Sequence, residues 1–147
     1  MKTVIQRVSS ASCTISGEIA GSIGKGFMVL VGFTHQDDEK VTAKMAEKIS
    51  KLRVFEDPDG KMNLSLKDVG GDILSISQFT LYADARKGNR PSFTDAMEPG
   101  RASALYDYFN QTLRDLGLHV ETGVFGADMK IALVNDGPVT ILLESEG

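Results

Sequence analysis

Ser77, Gln78 and Thr80 bring two hydroxyls and an amide close together in Ser77-Gln78-Phe79-Thr80-Leu81, directly after the apolar run Ile73-Leu74-Ser75-Ile76. Groups of this kind at the end of a strand can position a substrate or donate hydrogen bonds. A threonine hydroxyl attacks only with a base beside it, and the sequence names none. The same segment also reads as an edge strand with one solvated face. A second candidate is Asn135-Asp136-Gly137-Pro138-Val139-Thr140. It has the composition of a turn between strands, yet its glycine-proline bond has an accessible cis form, which would aim two neighbouring carbonyls at one place. A third is Arg86-Lys87-Gly88-Asn89-Arg90, the one notable concentration of positive charge. It is either a solvated loop or a set of phosphate contacts.

Other chemistries lack their signatures. Gly21-Ser22-Ile23-Gly24-Lys25-Gly26 has neither the glycine spacing of a phosphate loop nor a hydroxyl residue after its lysine, and reads as a hairpin turn. No G-x-G-x-x-G or G-x-S-x-G occurs, which removes the usual marks of dinucleotide binding and of α/β-hydrolase chemistry. His35 and His119 stand far apart without metal-ligand spacing, and neither has an orienting partner in sequence. Cys13 is the single cysteine, so no intramolecular disulfide is expected, and in the alternating stretch Ser12 to Ser16 it reads as a small hydrophobe.

The elements that must position these residues follow from periodicity. Residues 3 to 8, 12 to 16 and 27 to 31 have strand patterns, punctuated by Gly17, Gly21, Gly24 and Gly26. Val41, Met45, Ile49 and Leu52 share one face of a helix over about 37 to 53, with Asp37, Asp38 and Glu39 at its start and Lys48, Lys51 and Arg53 at its end, as the helix dipole favours. Asp57-Pro58-Asp59-Gly60 is a turn. A strand is expected over 72 to 82, then a helix from near Pro99 to Leu116 with Ala102, Leu105, Phe109, Leu113 and Leu116 inward. Three strands follow, at about 119 to 125, 129 to 135 and 139 to 144, the last two joined through Asn135-Asp136-Gly137-Pro138. The order lacks the regular alternation of a doubly wound sheet. It points to one α+β domain over residues 1–147, with curved sheets in a flattened barrel or sandwich and two helices on outer surfaces.

Composition agrees with a folded globular chain: 147 residues, 41% hydrophobic and 24% charged. No apolar run approaches the roughly 20 residues that cross a bilayer, and the opening Met1-Lys2-Thr3-Val4-Ile5-Gln6-Arg7 lacks the apolar centre of a signal peptide, so a cytoplasmic location is expected. A net charge of -4 argues against coating nucleic acid by bulk electrostatics, though not against gripping one RNA end.

Together, Ser77 to Leu81 and Asn135 to Thr140 closely resemble the paired signature of the D-aminoacyl-tRNA deacylase family. The resemblance extends in order through Ile5-Gln6-Arg7-Val8, Lys61-Met62-Asn63-Leu64, Arg90-Pro91-Ser92-Phe93 and Glu121-Thr122-Gly123. It implies a cytoplasmic homodimer that hydrolyses D-aminoacyl-tRNA at the subunit interface, with no metal or organic cofactor and no DNA or membrane partner. By that resemblance Gly137 and Pro138, joined by a cis bond, enter the partner's pocket and offer main-chain carbonyls to the substrate's α-ammonium group. Arg7 helps hold them, and Ser77, Gln78, Phe79 and Thr80 line the pocket opposite. Arg86 and Lys87 are then candidates for tRNA phosphates. The reading from a different class is a non-catalytic RNA-binding or interaction module.

Overall fold

The computed structural model describes residues 1–145. In chain order the elements are β1 (Lys2–Ile15), β2 (Glu18–Ile23), β3 (Gly26–Gly32), α1 (Glu39–Lys51), β4 (Phe55–Glu56), β5 (Met62–Leu64), α2 (Leu66–Val69), β6 (Asp72–Ser77), a 3₁₀ turn (Phe79–Tyr82), α3 (Pro99–Asp115), β7 (Val120–Thr122) and β8 (Lys130–Glu144). Six strands form one sheet in the order β2-β1-β3-β6-β7, with β8 pairing along β1. The α+β reading holds. No helix among the described residues is long and apolar enough to cross a membrane.

Both faces of the central strands are covered, which is why Phe27-Met28-Val29-Leu30-Val31 is a continuous apolar run rather than an alternating one. Phe27, Val29, Val31 and Ile73 pack with Met45 and Ile49 of α1 and Leu105, Phe109 and Leu113 of α3. Met28, Leu74 and Ile76 face the other way and meet Val8, Ala11, Cys13 and Ile23. Burying each of the larger side chains contributes about 1.5–3 kcal/mol. Strand β1 serves both cores by changing face. Ile5 joins the helix-covered core, and after register shifts on either side of Val8 the inward residues are Val8, Ala11 and Cys13. Cys13 is fully buried, and burial pushes its thiol pKa up, in keeping with a packing role.

The two long helices cover an outer surface, as the sequence-based reading expects. They lie together on one face of the sheet, packed against each other. The reason is in the pairing: β3, β6 and β7 are parallel neighbours, joined by crossovers that carry α1 and then α3. Two successive crossovers of the usual hand, advancing in one direction across a sheet, leave both helices on the same side. Helix α1 begins at Glu39, with the Asp38 side chain accepting from Val41 N–H at 2.9 Å. Asp37 lies outside the helix, buried, with its carboxylate 2.8 Å from the α-amino group of Met1.

Two further boundaries moved. The strand expected over 72 to 82 ends at Ser77, and Phe79–Tyr82 turns into the 3₁₀ segment. Residues 130 to 144, expected as two strands, form one long strand that pairs with β1 on both sides of an excursion. Asn135 lies opposite Val8 and Thr140 opposite Gln6, so 136 to 139 bulge out across from Arg7 alone.

Candidate active site

Open sheets with parallel strands present ligand crevices beyond the strands' carboxyl ends. A cleft of roughly 660 Å³ lies there, at the ends of β3 and β6. Ser77, Gln78 and Phe79 form one wall, Phe93 and the start of α3 another, and Phe125 with Met129 a third. The lining is chiefly apolar with a few polar groups, the usual character of a small-ligand site. The Gln78 main chain is fixed by its N–H to Val31 carbonyl bond at 2.8 Å. Thr80 is the next residue but one, exposed on the 3₁₀ turn rather than lining the cleft. As first residues of that turn, Phe79 and Thr80 have main-chain N–H groups without acceptors inside it.

The two carboxylates at the cleft are already engaged. Asp128 pairs with Lys130 at 3.3 Å, and Glu98 caps α3 by accepting from Gly100 N–H at 2.7 Å and Arg101 N–H at 3.0 Å, bonds that lower its pKa. Neither histidine lines the cleft. The His35 ring is bonded to the Thr94 carbonyl, and His119 pairs with Glu121 at 2.9 Å.

The 136 to 139 excursion is a second, separate construction. The Gly137-Pro138 bond is cis, and Asp136, Gly137 and Pro138 are exposed. Behind them Arg7 is 5% exposed. Its guanidinium donates to the Asp136 carbonyl at 3.0 Å and the Val54 carbonyl at 2.7 Å, and the Glu56 carboxylate lies 3.7 Å away. A buried guanidinium is tolerated only with such partners. Asn135 ties the base of the excursion: its side chain accepts from Val139 N–H at 3.0 Å and donates to Gln6 Oε1 at 2.6 Å. Thr140 also bonds Gln6. Gly137 has φ +127°, and a Cβ there would stand 2.8 Å from a Val139 methyl and 3.0 Å from the Arg7 guanidinium.

The fold therefore brings Arg7, Gly137 and Pro138 together and Ser77, Gln78 and Phe79 together, but not the two groups to each other. Arg7 pairs with Phe27, whose neighbour on β6 is Ile73, four residues before Ser77. Adding three strand spacings from β8 to β6 puts the groups on the order of 20 Å apart along the sheet. Phe93, Phe125 and Met129 come from distant segments, and only Phe93 fell within a stretch of family resemblance. Arg86 is held by Asp84, with guanidinium bonds of 2.9 and 2.7 Å. That side-chain pairing brings the Asp84 pKa down to about 2. Because the pKa is depressed, the pairing stays complete above the ordinary value of 3.8 and is lost only as the pH falls through about 2.

Comparison with known proteins identifies the family of the chain. The profile of the D-Tyr-tRNA(Tyr) deacylase family matches residues 4–144. A D-aminoacyl-tRNA deacylase of Thermus aquaticus is 59% identical over 99% of this chain and 95% of its own length, and one of Bacillus cereus strain G9842 is 58% identical over 99% and 100%. Among solved structures, one described as c-Myc DNA Unwinding Element Binding Protein superposes with a TM-score of 0.93 at 44% identity over the whole of both chains. Another, described as a probable eukaryotic D-amino acid tRNA deacylase, has a TM-score of 0.84 at 17% identity over 97% of each chain, and shares the fold. By a family match spanning nearly its whole length, the chain belongs to the D-Tyr-tRNA(Tyr) deacylase family.

Proposed function

We infer that this chain is a hydrolase that cleaves the ester bond of D-aminoacyl-tRNA, releasing the amino acid and tRNA. The carrying observation is the 58–59% identity to deacylases along 99% of the chain. The step is chirality proofreading in the cytoplasm, and it spares L-aminoacyl esters. A water oxygen bonds to the ester carbonyl carbon, the bond to the ribose oxygen breaks, and the proton from water ends on that oxygen. An aminoacyl ester is already activated, so positioning and oxyanion stabilisation suffice. The main-chain N–H groups of Phe79 and Thr80 are the proposed donors, with the neighbouring ribose hydroxyl assisting proton transfer. No metal or organic cofactor enters the scheme.

The complete site is composite. One subunit supplies the cleft with Ser77, Gln78 and Phe79 and the adjoining turn with Thr80; its partner inserts Gly137 and Pro138, held by its Arg7, and the carbonyls of Gly137 and Pro138 accept from the α-ammonium group. The separation of the two constructions within one chain supports this arrangement. Purified protein with D-tyrosyl-tRNA tests the activity: steady release of tyrosine is expected, and no turnover of any D-aminoacyl-tRNA would leave the nucleic-acid-binding module, the reading that the name of the 44% identical neighbour favours.

Thr80→Ala should keep substantial deacylation at saturating enzyme, since the main-chain donors remain. Trapping of an aminoacyl ester on Thr80 would instead make the hydroxyl a nucleophile.

Lys87 and Arg86 are proposed to meet tRNA phosphates, but unequally. Lys87→Ala should flatten the salt dependence of tRNA binding by about 0.7 in log-log slope, the value for one single-strand phosphate contact. Arg86→Ala should flatten it less, because Asp84 already holds that guanidinium. A slope that survives the double substitution would move the RNA to another surface.

A further inference from the structure

The cleft has room for one ligand of nucleoside and amino acid size, so the rest of a tRNA end must leave over its rim. Two rings stand at that rim, Phe79 at 55% and Phe93 at 43% exposure. Their centroids are 5.2 Å apart and their planes 70° apart, an edge-to-face pair. Neither ring belongs to either core. Both are nonetheless held in place by main-chain bonds. Phe79 opens the 3₁₀ turn. Phe93 follows a segment in which Asp84 and Ser92 exchange two bonds of 2.8 Å, and its carbonyl accepts from Ala96 N–H at 3.1 Å. Two fixed, exposed aromatics without a packing role mark a contact surface.

The charges nearby suggest what that surface meets. Lys87 and Arg90 lie on the same loop as Phe93 and form no ion pair among the described residues. Of the acids on the loop, Asp84 is neutralised by Arg86, and Asp95 also acts on Arg86. Fixed aromatic rings, one of them on a loop whose Lys87 and Arg90 form no ion pair among the described residues, suit a single strand of nucleic acid, whose bases stack while its phosphates pair. Stacking tolerates any base, as an enzyme serving many tRNAs requires.

Resting on the reading that the cleft takes the aminoacylated end of tRNA, we propose that the Phe79–Phe93 pair is the stacking shelf for the penultimate nucleotide, with Lys87 and Arg90 facing the adjoining phosphates. The shelf extends the grip by one base beyond the cleft. It makes the dinucleotide, rather than the terminal nucleoside, the smallest well-bound substrate.

The test uses D-tyrosyl esters of adenosine, of the CpA dinucleotide and of whole tRNA, with wild-type, Phe93→Leu and Phe93→Tyr proteins. Leucine keeps apolar bulk without a π face, and tyrosine keeps the ring. With leucine, the rise in KM for the CpA and tRNA esters should exceed that for the adenosine ester by roughly tenfold, within the usual worth of one stacked base. Tyrosine should stay near wild type. An unacylated CCA oligonucleotide with 2-aminopurine at the penultimate position should be quenched by the wild-type and tyrosine proteins and not by the leucine variant. Equal penalties on all three esters would overturn the shelf while leaving the deacylase reading intact. So would loss of self-association in the leucine variant, which would assign the ring to contact with a second copy. No turnover of any ester by wild type would sink the deacylase reading and the shelf with it.

Discussion

An equimolar mixture of Gly32→Ala and Gly137→Ala chains, each nearly inactive alone, should recover about a quarter of the wild-type rate if random pairing makes half the dimers mixed and each mixed dimer holds one intact site of two. The two glycines address the two constructions separately. A Cβ at Gly32 would lie 2.9 Å from the Gln78 carbonyl and 3.0 Å from Leu81 Cβ, so alanine there pushes on the turn that carries Gln78, Phe79 and Thr80. A Cβ at Gly137 would press on Val139 and Arg7 in a backbone conformation that alanine rarely adopts, so it disturbs the cis segment and its support. Displacement of about 1 Å in either place costs on the order of a hundredfold in rate. In a mixed dimer with exchanged segments, one site combines both lesions and the other has neither. If each site came from one chain, every site would carry one lesion and mixing would restore nothing. Activity after mixing and refolding, with native mass spectrometry to count mixed dimers, decides between these outcomes. Mixed dimers without recovery would remove the composite site.

Much of this architecture was legible in sequence where burial imposes a period. Met45 and Ile49, and Ala102, Leu105, Phe109 and Leu113, are buried on the faces their spacing assigns. The signals failed where a side chain replaces main-chain pairing. Asn135-Asp136-Gly137-Pro138 has the composition of a turn, but the Asn135 amide bonds Val139 N–H and Gln6, which closes the excursion and lets the strand resume. At Phe79 and Leu81 the strand pattern continues, yet the chain turns beside Gly32, a close approach that no local pattern announces. The β-α-β-α-β order from β3 to β7 was present among the predicted elements. The strand-rich stretches at both ends obscured it, and with it the shared face of α1 and α3. Arg86 looked free for phosphate because only the turn through Asp84 brings its carboxylate within 2.7 Å. The cleft walls at Phe125 and Met129 meet Ser77 through tertiary packing, for which sequence spacing carries no mark.

Glycyl-tRNA and varied D-aminoacyl-tRNAs should be hydrolysed while L-alanyl-tRNA is spared by roughly tenfold to a hundredfold, because one methyl forced against fixed main chain costs about 1–3 kcal/mol. In the proposed composite site the carbonyls of Gly137 and Pro138 would hold the α-ammonium group, and the donors at Phe79 and Thr80 would hold the ester carbonyl. Two of the α-carbon's substituents are then pinned, and the other two positions decide the outcome. If one of these points to open space and the other into the rigid main chain of the cis segment, the size and chemistry of a D side chain matter little and an L side chain collides. That segment cannot retreat easily, since Arg7 bonds the Asp136 carbonyl behind it and Asn135 holds Val139. Selection on this proposal is by collision rather than by recognition, and a pocket that only repels would leave glycine, which has nothing to collide, as a substrate. Loosening the support should weaken the discrimination. Asn135→Ala should raise cleavage of L-alanyl-tRNA relative to D-alanyl-tRNA, whereas Asn135→Asp, which keeps the acceptor for Val139 N–H, should lose less of it. Competition among glycyl, D-alanyl and L-alanyl esters of one tRNA measures all three rates together. Rapid L-alanyl cleavage by the wild-type protein, or inertness toward the glycyl ester, would contradict exclusion and require a pocket that reads the D side chain directly.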